Sequence, residues 1–238
     1  MRRRPGQPEA GASVETTPKA APEAILQIKV WLKEISPMIW RRVLVPASFT
    51  LHELHGVIQV AMGWEGIHLF QFCLRAGHYG SWELAASPPD VTLAALGLRK
   101  GTRFGYEYDL NTLWQHEIRI EDCLIPRVGG HSYPLCTAGS GACPPEDCGG
   151  PGVFMEHRVE LQSRDDYHDL AMVAGIISDV VRESELGILD RDATRRRLQQ
   201  ALVRSRARER AWGKPFSRRV VNTLLQQGEH QVLMRQQM

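Results

Sequence analysis

From Ile25 to Glu34 the chain alternates apolar and polar residues: Leu26, Ile28, Val30 and Leu32 against Gln27, Lys29, Trp31 and Lys33. Side chains of a strand point to opposite faces in turn, so this run reads as a β-strand with one face on a core and the other turned to water. Ser36-Pro37 interrupts it, and Ile39 to Val45 reads as a second β segment closing at Pro46. Proximity makes the two a hairpin, with Arg41 and Arg42 expected near its exposed side.

A helix follows the hairpin. Thr50 with Glu53 three residues on is a capping box, and Leu51, Leu54, Val57, Ile58, Ala61 and Met62 recur at helical spacing until Gly63. An amphipathic helix of this kind covers one face of a sheet. His68 to Leu74 alternates again, Thr92 to Leu98 is apolar enough for a short helix, and Arg103–Asp109 pairs with Trp114–Glu121 across a turn containing Asn111. Trp114, His116, Ile118 and Ile120 then share the core-facing row. The stretch 122–156 is rich in glycine and proline and lacks periodicity, so it is expected as a long ordered loop, stiffened by Pro144-Pro145. Helical patterns return near 167–183, 190–211 and 216–235. The expected class is α+β: a mixed β-sheet with a covering helix, a long Cys/Pro/Gly loop and a C-terminal helical extension. The expected organisation is a disordered lead over 1–23, a domain over 24–160 and a basic helical extension over 161–238.

Charge is uneven along the chain. Between Arg191 and Arg219 eleven Arg and Lys face only Asp192 and Glu209, a local +9, which leaves 2 − 9 = −7 for the rest of a chain of net charge +2. No apolar run reaches the roughly 20 residues of a membrane span. Met1-Arg-Arg-Arg-Pro has no apolar secretory core either, so a cytoplasmic chain without membrane partners is expected. Five cysteines without an export signal are expected as thiols or metal ligands rather than disulfides.

Several strings carry a family resemblance: Ile39-Trp-Arg-Arg42, Val45-Pro46, Leu54-His55, Met62-Gly-Trp64, His68-Leu-Phe-Gln-Phe72, Tyr106–Asp109, Trp114-Gln-His116 and Cys143-Pro-Pro-Glu-Asp-Cys-Gly-Gly150. Over roughly residues 25 to 160 the chain resembles the Ri-plasmid ORF-three-like family. The resemblance implies an α+β fold on a mixed sheet and an association with plasmids and transposons, under a resolvase-like label. Two positions depart from the family pattern. Phe70 stands where the family has a second histidine, and Thr112 stands where it has an acid. No serine or tyrosine nucleophile in a recombinase setting is present, and no glycine-rich phosphate loop precedes a helix, so a nucleotide cofactor is not expected.

Three chemistries remain open. Cys136, Cys143 and Cys148 are candidate zinc ligands, with His116, His131 or His157 as a fourth, since thiolate and imidazole suit tetrahedral zinc; equally they are small residues buried in a tight loop. His68, Asp109, His116, Glu146 and Asp147 are candidate catalytic groups of a metal-dependent hydrolase, or else turn caps and core histidines. Arg195, Arg196, Arg197, Arg204, Arg206, Arg208 and Arg210 are candidate phosphate contacts, or a solvated helix face. The departures at Phe70 and Thr112 favour a non-enzymatic interaction module, with nucleic acid or a protein as partner, over the hydrolase.

Overall fold

The computed structural model describes residues 24–75, 77–125, 132–162, 166–183, 187, 189, 191–213 and 215–236, apart from the side chains at 160–168, 183 and 207–211. The expected lead over 1–23 lies outside them. Seven strands, β1 (Ile25–Leu32), β2 (Trp40–Pro46), β3 (Phe70–Leu74), β4 (Gly77–Gly80), β5 (Arg103–Tyr108), β6 (Trp114–Leu124) and β7 (Leu135–Ser140), form one sheet in the order β4-β3-β5-β6-β1-β2-β7. Its six ladders are all antiparallel, so the α+β class holds on a sheet more regular than the mixed one expected.

The covering helix α1 (Leu51–Met62) starts where the capping box puts it. The Thr50 hydroxyl accepts the Glu53 N–H at 3.1 Å, the Glu53 carboxylate accepts the Thr50 N–H at 2.8 Å, and Gly63 ends the helix in the left-handed region. Thr50→Ala is expected to cost about 1 kcal/mol of stability, measured by chemical denaturation, and an unchanged midpoint would contradict the cap. Leu51, Leu54, Val57 and Ile58 are buried against the inward rows Ile28, Val30, Val43, Val45, Phe70, Phe72, Tyr106, Ile118 and Ile120.

Arg41 corrects an expectation. Alternation along β2 turns it inward with Val43 and Val45, and it is only 1% exposed, while Arg42 stays on the open face. The short helix expected at Thr92–Leu98 is instead a run of turns. Its donors are already taken, Leu93 N–H by the Phe49 carbonyl and Ala94 N–H by the Ala47 carbonyl, both at 2.8 Å.

Beyond the sheet come α2 (Gly150–Gln162), α3 (Asp166–Glu183), α4 (Asp192–Trp212), α5 (Arg218–Gln226) and α6 (Glu229–Leu233). The C-terminal region divides: α2 and α3 each pack on α4, whereas α5 and α6 pack on α1 and α5 also on β7. A Cβ at Gly56 of α1 would lie 2.0 Å from the His230 carbonyl oxygen, so only glycine admits this approach of α6. Asn222 of α5 bridges edge strand β7, accepting the Cys136 N–H at 2.7 Å and donating to its carbonyl at 2.9 Å, which covers an otherwise open edge.

Candidate functional site

The loop after β7 docks on the end of the sheet formed by β5, β6 and the approach to β3. Two indole N–H groups hold its backbone: Trp64 donates to the Pro144 carbonyl at 2.9 Å and Trp114 to the Glu146 carbonyl at 3.3 Å. The Glu146 carboxylate accepts the Glu65 N–H at 2.7 Å and the Tyr108 hydroxyl. Gly150, at φ +90°, passes so close to the β5–β6 turn that a Cβ would sit 2.7 Å from the Thr112 carbonyl oxygen.

Asp109 closes that turn in the left-handed region at φ +51°. Its carboxylate accepts the Asn111 N–H at 3.2 Å and the Thr112 hydroxyl, and its carbonyl accepts the Leu113 N–H at 2.6 Å. Thr112 is therefore the partner of Asp109 rather than a gap in an acidic set. His68, just before β3, donates its backbone N–H to the Tyr108 hydroxyl at 3.2 Å and sets its ring edge-on to that phenol. The imidazole lies between two carboxylates, with Nε2 2.9 Å from Asp147 and Nδ1 3.8 Å from Asp109.

Four of the five candidate catalytic residues thus converge: His68, Asp109, Glu146 and Asp147. The fifth does not join them. His116 is 1% exposed inside the core, with Nδ1 at 3.0 Å from the Trp114 carbonyl and its ring against Trp64 and Tyr106. Sequence reasoning left out Tyr108, Glu65 and Trp64 as partners of this cluster, although Tyr108 and Trp64 stand in the strings quoted for the family resemblance. Burial, then the Glu146 carboxylate, raises the Tyr108 hydroxyl well above its ordinary range and keeps it a donor. A single ion cannot take His68, Asp109 and Asp147 together, because the two carboxylates address opposite nitrogens of one ring. Glu146 already spends both oxygens on the loop and Asp109 both on the turn, so the cluster acts first as a clasp.

The candidate zinc ligands fall differently. Cys136 is buried on β7 with its thiol 3.6 Å from the Ala138 carbonyl, Cys143 is buried beside Arg41, and Cys148 is half-buried in the loop. Burial pushes the Cys143 thiol up to about 12, against the pull of the Arg41 guanidinium, and raises Cys136 and Cys148 as well. His157 is exposed on α2, and His131 lies outside the described residues. Among the described residues no group of three or more His, Cys, Asp or Glu side chains is placed to hold a metal ion.

The arginines of α4 form a separate surface. Arg195, Arg196, Arg197 and Arg206 are exposed and have no carboxylate within ion-pair distance among the described residues. Arg204 holds Asp169 of α3 through two hydrogen bonds of 3.0 and 2.6 Å, and the side chains of Arg208 and Arg210 lie outside the described ones. A groove of about 330 Å³ runs along the helix, lined by Arg196, Gln199, Gln200, Val203 and Arg204. Three arginines outside α4 pair with carboxylates: Arg42 with Glu121, Arg103 with Glu117 and Arg182 with Asp179. No described helix is long and apolar enough to cross a membrane.

Comparison with known proteins places relatives over the sheet domain. The family described as plasmid pRiA4b ORF-3-like protein matches residues 24–177. The uncharacterized protein y4hQ of Sinorhizobium fredii is 37% identical over 139 residues, which is 56% of this chain and 71% of that protein. A crystal structure of a protein of unknown function from Methanosarcina mazei Go1 superposes with a TM-score of 0.52 at 31% identity, covering 62% of this chain and 87% of the other.

Proposed function

The chain belongs to the plasmid pRiA4b ORF-3-like family, and on that premise we propose that it is a non-enzymatic accessory module that contacts nucleic acid through the exposed arginines of α4. The observation that carries this reading is that Arg195, Arg196, Arg197 and Arg206 stand exposed on one helix with no carboxylate within ion-pair distance among the described residues, the densest such group in the basic stretch 191–219. Arg195, Arg196 and Arg206 fall within about 100° of one another over roughly 16 Å of helix, so they address one surface. Each phosphate they neutralise releases counterions, which drives association without reading bases. The Arg204–Asp169 pair fixes α4 against α3 and holds the array in place.

The hydrolase alternative is supported less well, since three carboxylates around His68 are committed to loop and turn donors or to the imidazole itself. Replacing Arg195, Arg196, Arg197 and Arg206 together by alanine tests the reading. Affinity for a random-sequence duplex should fall at least tenfold near physiological salt, by fluorescence anisotropy, with circular dichroism unchanged. Unchanged affinity would refute it. A second reading, contact with a protein partner, draws on Leu170, Ile177 and Val181, three exposed apolar residues that recur at helical spacing along one face of α3.

A further inference from the structure

The face of the sheet turned away from α1 carries a pattern independent of both the loop and α4. Lys29 of β1 stands in register with Arg42 of β2 on one side and Arg119 of β6 on the other, and Arg119 stands in register with Arg103 of β5. Four cations thus form one row across four adjacent strands, about 14 Å long at the usual strand spacing. Two residues further toward the hairpin, Trp31 and Trp40 face each other as a cross-strand pair. Alternation puts all six side chains on the open face, because Ile28, Val30, Val43, Ile118 and Ile120 between them are buried.

The two rows touch. The Lys29 ammonium lies 4.8 Å from the Trp40 ring centre and 5.7 Å from that of Trp31, and the Arg42 guanidinium lies 5.3 Å from Trp40. The outer cations of the row are neutralised, Arg42 by Glu121 and Arg103 by Glu117. The inner two, Lys29 and Arg119, have no carboxylate within ion-pair distance among the described residues. Arg103 and Arg119 are exposed and both tryptophans partly so, and no described element covers the row.

We propose that this open face binds single-stranded nucleic acid, with bases stacked on Trp31 and Trp40 and the backbone following Lys29 and Arg119. A single strand offers an unpaired aromatic face beside each phosphate, and rings flanking a line of cations match both at once; a duplex keeps its base faces inside the stack. Base stacking accepts any sequence, so the face selects strandedness rather than bases. The carboxylates Glu107, Glu117 and Glu121 share the face and are held by Gln71 and Gln115, by Arg103, and by Arg42 and Gln27, which limits the phosphates engaged to about two, those at Lys29 and Arg119.

The test measures binding of the intact chain to a labelled oligo(dT) and to a duplex of the same length. Trp31→Ala with Trp40→Ala should weaken oligo(dT) binding roughly a hundredfold, about tenfold per lost stack, and leave duplex binding unchanged. Trp40→Phe, which keeps a stacking ring, should lose much less than Trp40→Ala. Arg119→Glu should reduce the steepness of the oligo(dT) salt dependence by about 0.7 in log–log slope, the weight of one single-strand phosphate. The four-alanine variant of α4 should lose at least tenfold in duplex affinity, and in that background the two tryptophan substitutions should still weaken oligo(dT) binding, so loss of the tryptophan effect and loss of the α4 effect are read separately. The proposal is overturned if the wild type does not bind oligo(dT), if both the tryptophan and Arg119 variants bind it as the wild type does, or if only the α4 variant loses it.

Discussion

Arg41→Ala is expected to lower the unfolding free energy by about 4 kcal/mol, read as a shift of the guanidinium chloride midpoint at nearly constant slope. The guanidinium joins three pieces of the fold. Its Nε donates to the Ala61 carbonyl in the last turn of α1 at 2.8 Å, and Nη1 donates to the carbonyls of Trp40 and Ser140 at 2.8 and 2.9 Å. Nη2 completes the set on the Gly141 carbonyl at 3.0 Å. Phe216, leading into α5, stacks over the guanidinium at 4.2 Å. No carboxylate among the described residues lies within ion-pair distance of this charge; the four carbonyls balance it, that of Ala61 with the negative end of the α1 dipole behind it. Truncation leaves several of these carbonyls without a donor and opens a cavity under Phe216. Arg41→Lys should fail to rescue most of the loss, since one ammonium cannot reach acceptors spread around a planar fork. A loss below about 1 kcal/mol for the alanine variant would show that the network contributes little.

Acid should destabilise the fold between about pH 6.5 and pH 4, by about 3 kcal/mol from His116 alone. Burial pulls His116 down to about 4, only partly opposed by its hydrogen bond to the Trp114 carbonyl. A base whose folded-state value is depressed is neutral in the fold while the unfolded chain takes up a proton. Its contribution is therefore complete above the unfolded value and is lost as pH falls toward the folded one. His55, buried on Phe70 with Nδ1 2.7 Å from the Tyr106 hydroxyl, is lowered by burial too and acts in the same direction. Glu121, lowered by Arg42, adds its loss only as pH falls below the usual carboxylate value. Denaturant midpoints across this range test the expectation, and a stability flat from pH 7 to about pH 4.5 would contradict it.

The strands and the helix that carry their own pattern were legible in the residues. The β1–β2 hairpin, α1 between Thr50 and Gly63, and β5 stand within a residue or two of where alternation and capping place them, while β6 starts where expected and runs three residues further, to Leu124. Edge strands were not. β7 reads Leu-Cys-Thr-Ala-Gly-Ser, small and without alternation, and is held by Asn222, Arg218 and the β2 ladder from far along the chain. The inward turn of Arg41 was legible in principle, because it shares a parity with Val43 and Val45, but charge suggested the opposite. The residues of the clasp were legible as polar groups worth attention. Their arrangement was not, since His68 and Asp147 meet across 79 residues and Glu146 is oriented by backbone donors that no spacing reveals.

Nucleic-acid contact through α4 predicts a steep salt dependence of duplex binding by the intact chain. The three arginines that share one surface, Arg195, Arg196 and Arg206, on three phosphates should give a log–log slope near −2.7, about 40-fold weaker binding between roughly 50 and 200 mM salt. The variant with Arg195, Arg196, Arg197 and Arg206 replaced by alanine should lose most of that slope. A wild-type slope near zero, or a full slope retained by the variant, would contradict the claim.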